Sequence, residues 1–211
     1  MPIHREYARE IALGIKTELR TSLSASLDFL NRLDNDDDWS FVIKAQAIVE
    51  AAVTEAVVTK LGETAIRGTV ERLPLADEQI GKLALAKELD LMTKEQRRFV
   101  RKMAELRNRL AHRVQDIDFE FSTYFQTLSA SQKRDWRESI AWFAAGKESY
   151  NGWLESAEKN PRLTLYLAVF MLLAMLHVAR VQADTPRKID AAALRTAEEL
   201  FASFAARASD E

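Results

Sequence analysis

The run Leu163-Thr-Leu-Tyr-Leu-Ala-Val-Phe-Met-Leu-Leu-Ala-Met-Leu-His-Val-Ala179 decides the fold class. Its 17 residues carry no formal charge, close to the shortest helix that spans a bilayer. A helix that is apolar on every side also suits the centre of a bundle. The run contains Thr164, Tyr166 and His177, and nothing else in the chain resembles an anchor. It therefore reads as a buried core helix spanning Thr164–Val181, with a membrane span as the competing reading, and no membrane partner is expected.

Outward from this helix the pattern stays helical. Upstream, Tyr7–Leu33 places Ile11, Ile15, Leu19, Leu23, Leu27 and Leu30 at spacings of three and four. Asn31 to Asp38 reads as an acidic turn in which Asp37 or Asp38 caps a helix over Trp39–Leu61, and Gly62 ends it. Glu63 to Gln79, with Gly68 and Pro74, reads as a loop with a short helical turn. Ile80–Leu89 is a short helix. Thr93 with Gln96 forms a capping-box pattern for a helix to Ala111. Ser131–Ala145 reads as helix and Lys147–Asn160 as a connector. Thr185-Pro186 is expected to break the chain before a last helix, Ile189–Ala206.

Composition agrees. With 6 Gly and 4 Pro in 211 residues, all-β folds and glycine-rich phosphate loops are disfavoured and long helices favoured. The absence of cysteine excludes disulfides, zinc–thiolate sites and thiol catalysis. The expectation is one all-α domain of six to eight helices. Met1 to Arg20 is mixed and charged, which reads as no signal peptide and a cytoplasmic setting. A net charge of −2 does not make the whole molecule an electrostatic nucleic-acid binder.

One short stretch carries candidate chemistry: Arg107-Asn108-Arg109-Leu110-Ala111-His112. On a helix, Asn108 and His112 share a face and Arg107 flanks them. A fixed cation, an amide and an imidazole then lie within reach of one phosphodiester. Imidazole titrates near neutrality, and guanidinium matches phosphate geometry. The span Lys94 to Arg113 holds eight basic and two acidic residues, so Arg101, Arg109 and Arg113 are candidate phosphate contacts. Plain readings stand beside these. Cations at a helix C-terminus meet the helix dipole favourably, and a basic face can pair with acidic helices. Glu50 or Glu55 could fix the motif or be surface carboxylates. The aromatics between Phe119 and Trp153 could stack bases but fit a core better. His4 and His177 lack metal-ligand spacing, and no metal or cofactor is expected.

The string Leu106-Arg-Asn-Arg-Leu-Ala-His112 resembles the Arg-x4-6-His signature of the HEPN superfamily, including the polar residue after the arginine. Ile80-Gly-Lys-Leu-Ala-Leu-Ala-Lys-Glu-Leu-Asp-Leu-Met92 and the helix Trp39–Leu61 resemble the elements before that motif in the branch that includes the mannitol operon repressor, MtlR. The resemblance covers about residues 39–128. It implies an up-and-down helical bundle with its core over about residues 39–182 and the helices 7–33 and 189–206 packed on it. It also implies a homodimer.

In catalytic members of the family the paired motifs cleave RNA without a metal. By resemblance, Arg107 would hold the scissile phosphate, His112 would act as general acid/base, and Asn108 would position His112 or a phosphate oxygen. Toxin or defence endoribonuclease, with an antitoxin partner, is the first expectation. A non-catalytic regulator that binds a protein partner, as in the MtlR branch, is the second. RNA or nucleotide binding without turnover is the third.

Overall fold

The computed structural model describes residues 32–209 apart from 34, 78, 114 and 115. The helix expected over 7–33 lies outside them except at its end, as does His4. Among the described residues the chain is all helical, with no strand.

Helix α1 spans Asp38–Leu61. The Asp37 carboxylate caps it, accepting from Ser40 N at 2.8 Å and Ser40 Oγ at 2.7 Å. These bonds hold the Asp37 pKa below the ordinary carboxylate range. Gly62 ends the helix at φ 80°, where its N–H reaches the Val58 carbonyl at 3.0 Å. Any side chain there would also collide with the Arg187 guanidinium.

A 3-10 turn, Thr64–Ile66, leads into helix α2, Arg67–Arg72. Helix α3 is Lys82–Glu88. The loop between α2 and α3 folds tightly, with Lys82 N donating to Pro74 O at 2.9 Å and Leu83 N to Leu75 O at 3.1 Å. Gly81 is required here because a Cβ would strike the backbone oxygens of Asp77 and Pro74.

Helix α4, Lys94–His112, opens on the expected capping box of Thr93 and Gln96. Helix α5 is Phe121–Thr127 and α6 is Ala130–Ile140. The helix expected to reach Ala145 therefore stops at Ile140. A second capping box, Ser129 with Gln132, sets its start. The chain then tightens into a 3-10 turn, Trp142–Ala144, that lays Trp142 against Phe99 with ring centroids 6.2 Å apart. The expected connector 147–160 is largely a helix, α7, Tyr150–Lys159. A single Gly152 costs a helix only about 1 kcal/mol. Burial of Ala157 and the edge contact of Trp153 with Phe143, at 5.0 Å, oppose that cost.

The largest correction concerns the C-terminal half. Thr185-Pro186 does not break the chain; α8 runs unbroken over Pro161–Ser209, 49 residues, about 73 Å of helix. Proline removes one backbone donor. In the neighbouring turn Thr185 Oγ1 donates to Val181 O at 2.7 Å. Arg187, directly after the proline, donates to the Thr59 and Lys60 carbonyls at the end of α1. It thus satisfies acceptors that the helix leaves open.

Helices α1, α4 and α8 form the core. Phe41, Val49, Val53 and Val57 of α1 meet Phe99, Met103 and Leu106 of α4 and Leu165, Val169 and Leu172 of α8, all buried. Each such side chain contributes about 1.5–3 kcal/mol on burial. One side of the apolar run therefore enters the core as expected, while Leu163, Met175 and Val178 remain exposed. By length and composition alone this helix could cross a membrane. The aromatics Phe121, Phe125, Trp136 and Trp142 are buried, so these four are core.

Candidate functional site

The core-facing positions Phe99, Val100, Met103, Leu106 and Leu110 anchor α4. Their spacing turns Arg107, Asn108, Ala111 and His112 outward, and all four are exposed. Arg107 Nη1 donates to Asn108 Oδ1 at 3.0 Å. That bond draws the guanidinium across the helix surface towards the face that Asn108 shares with His112. Arg101, Glu105, Asn108 and His112 follow one another at helical spacing along this face.

The C-terminal end of α4 is fixed from α1. Trp39 Nε1 donates to the Leu110 carbonyl at 3.4 Å. Arg113 leaves the helix in an extended conformation, φ −127° and ψ 103°. His112 is the last helical residue, at the negative end of the helix dipole. Among the described residues no side chain is bonded to it. Trp39 was not singled out from sequence, because nothing in its local pattern signals a bond 71 residues away.

Much of the basic character of α4 is neutralised. Arg98 bonds Asp135 at 2.7 Å and Glu138 at 3.1 Å. Lys102 bonds Asp135 at 2.7 Å and Glu105 at 2.8 Å. Burial works against ionisation of Asp135, yet its bonds to Lys102 and Arg98 outweigh this and hold its pKa down. Arg98 and Lys102 are likewise desolvated but raised in pKa by their carboxylate partners. Arg109 reaches Asp116 at 3.4 Å and stacks 5.2 Å over the Tyr124 ring. Burial raises the Tyr124 pKa, and the nearby Arg109 opposes that rise. Arg101 is half-buried; Arg107 and Arg113 are the candidate arginines that stay exposed.

Neither glutamate considered for the motif is bonded to it. Glu50 pairs with the buried Lys82, and Glu55 with Arg67. The Arg67 bond, ahead of the cost of burial, holds the Glu55 pKa below its ordinary value. Among the described residues no group of His, Asp and Glu is gathered as a metal site.

A cleft of about 1300 Å³ opens beside Trp39. It lies between the start of α1, residues 117–122 and the start of α8. Asp38, Phe119, Arg162 and Tyr166 line it. A smaller recess of about 210 Å³ sits between α4 and α6, with Arg109, Tyr124, Asp135 and Trp136 on its walls. Neither takes in His112. The candidate site is thus a convex helix end, with Arg107, Asn108 and His112 together and Arg113 following. Arg109 is turned away into the α6 recess. No family model, curated protein or solved structure matches the chain.

Proposed function

We propose that this protein is a metal-independent endoribonuclease acting through Arg107 and His112. The observation that carries this reading is the exposed constellation at the end of α4. There Arg107 is bonded to Asn108 at 3.0 Å, and His112 lies one turn further on the same face. None of these side chains contributes to the core. The resemblance of Leu106–His112 to the HEPN signature is the second support, and a homodimer is the assembly it implies.

The chemistry needs only these groups and the RNA. Neutral His112 takes the proton of a ribose 2′-hydroxyl, and the 2′-oxygen attacks the adjacent phosphorus. The bond from phosphorus to the 5′-oxygen breaks. That oxygen leaves with a proton supplied by imidazolium, giving a 2′,3′-cyclic phosphate and a 5′-hydroxyl. Arg107 holds the non-bridging oxygens and offsets their growing charge. Asn108 keeps the guanidinium aimed at that position. Arg113, and Arg101 one to two turns before Arg107, contact flanking phosphates.

The test is cleavage of structured and single-stranded RNA in EDTA by wild type and His112→Ala. Cleavage by wild type alone, with cyclic-phosphate ends, is the expected result. Absence of cleavage by both across these substrates overturns the reading.

The pairing of Arg98, Lys102 and Arg109 with acidic partners favours a second reading. A helix so neutralised suits a regulatory bundle of the MtlR kind, which binds a protein partner without turnover. RNA binding without turnover would instead appear as salt-dependent affinity that survives His112→Ala and weakens in Arg107→Ala.

A further inference from the structure

The cleft of about 1300 Å³ beside Trp39 has no part in the chemistry proposed above, yet it is joined to the motif at two points. Trp39 forms part of its wall and bonds the Leu110 carbonyl. Leu110 lies two residues before His112, about 3 Å of helical rise. Another part of the wall is the chain that leaves α4. Arg113 O accepts from Asp116 N at 3.0 Å, and Asp116 O accepts from Phe119 N at 3.1 Å. Each such turn spans less than about 7 Å between its first and last Cα atoms, so Phe119 lies within about 14 Å of Arg113.

The lining suits a nucleobase. The space exceeds an ordinary small-molecule pocket of about 300–1,000 Å³, so it admits a nucleotide. The half-buried rings of Trp39 and Phe119 supply stacking surface. Phe119 is braced edge-on by Phe121, with ring centroids 5.1 Å apart. Most of the carboxylates on the wall are engaged. Asp37 caps α1, and Asp38 accepts from Phe121 N and Arg162. Glu120 accepts from Ser122 and Thr123 at 3.4 and 3.5 Å. Lys159, also on the wall, is paired with Glu155. Asp118 is exposed, and among the described residues no group bonds its carboxylate.

We propose that this cleft binds the guanine base of a nucleotide adjoining the phosphodiester held at Arg107 and His112. The base stacks on Trp39 and turns its Watson–Crick edge to Asp118. Guanine presents two adjacent donors there, N1–H and the 2-amino group, which match both oxygens of one carboxylate. Adenine and cytosine set a ring-nitrogen lone pair beside their single amine, and uracil sets a carbonyl on each side of its N–H. Each of these turns an acceptor towards a carboxylate oxygen. The carboxylate also repels phosphate. It thereby keeps the strand's backbone at Arg107 and Arg113 and admits only a base. The path of the strand rests on the ribonuclease reading, whereas base binding requires no turnover.

Calorimetric titration of the full chain in EDTA with each of the ribonucleoside 3′-monophosphates tests this. Guanosine 3′-monophosphate is expected to bind about tenfold or more tightly than the others, the scale of one bidentate base contact. Asp118→Asn should abolish that preference and leave the melting temperature unchanged. Trp39→Leu should weaken the binding of every base, because stacking does not depend on base identity. Equal affinities, a preference that survives Asp118→Asn, or no binding at all overturns the proposal. So does binding of free arginine in place of guanosine 3′-monophosphate, which would mark a basic protein segment as the occupant. Guanosine binding without cleavage of any RNA upholds the cleft and removes the ribonuclease reading. RNA cleavage with no preference among bases does the reverse.

Discussion

The Arg162 guanidinium bonds the Asp38 carboxylate at 2.7 Å and, through its other terminal nitrogen, the backbone oxygens of Leu33 at 2.9 Å and Asp36 at 2.6 Å. Asp38 in turn accepts from Phe121 N at 2.9 Å. One ion pair thus ties the starts of α1, α5 and α8 together. The guanidinium also lies 5.1 Å over the Phe41 ring. Only a planar fork of donors serves all these acceptors.

Arg162→Ala should therefore destabilise the fold by about 2–4 kcal/mol, since it strands a partly buried carboxylate and two carbonyls. Arg162→Lys should recover less than half of that loss. Urea denaturation followed by circular dichroism checks both, and full rescue by lysine would show that charge alone suffices.

The ion pair of Lys82 and Glu50 is asymmetric, with side chains 3% and 36% exposed. Glu50→Ala leaves a buried ammonium without its carboxylate, and should cost about 3 kcal/mol or more. Lys82→Met leaves only a carboxylate that reaches water and should cost clearly less. Thermal melts of the two variants measure the difference, and equal losses would refute it.

How much of this could be read from the chain depended on range. The box of Thr93 with Gln96 and the stop at Gly62 are local, so sequence spacing revealed them, and it narrowed the cap of α1 to Asp37 or Asp38. The outward placement of Arg107, Asn108 and His112 followed from the helical period and the buried Leu106 and Leu110. Pro186 misled because local propensity ends a helix there, whereas Arg187 and the carbonyls of Thr59 and Lys60 meet from distant parts of the chain. The partners of Arg109 were hidden for a similar reason: Asp116 lies in a turn and Tyr124 in α5, and no periodicity reveals how the chain brings them back to α4.

Asp135 joins α6 to two cations of α4. Its pKa is lowered in the fold, so its contribution to stability is present above the unfolded value, 3.8. That contribution is lost as pH falls through the folded value. The contact of α4 with α6 should therefore weaken below about pH 4. Asp135→Asn should flatten this part of the stability profile, costing about 0.5–1 kcal/mol at pH 7 because the groups are partly exposed and water screens the pair. Denaturation midpoints measured between acid and neutral pH test the slope; an unchanged slope in the variant would assign the acid sensitivity elsewhere.

Arg107 and His112 are exposed and make no core contact, so the fold should hardly register their loss. Arg107→Ala and His112→Ala are each expected to change unfolding free energy by less than about 0.5 kcal/mol. Under the proposed chemistry, each should nonetheless lower RNA cleavage by about two orders of magnitude or more, the scale of a lost proton-transfer or charge-stabilising group. Asn108→Ala should give a smaller loss, because Asn108 aims Arg107 without touching the reacting atoms. Arg107→Lys keeps the charge but not the planar fork, so it should recover RNA binding more than turnover. Measuring the melting temperature and the single-turnover rate on the same preparations separates the cases. If stability falls in step with cleavage, the motif is serving as a structural helix end.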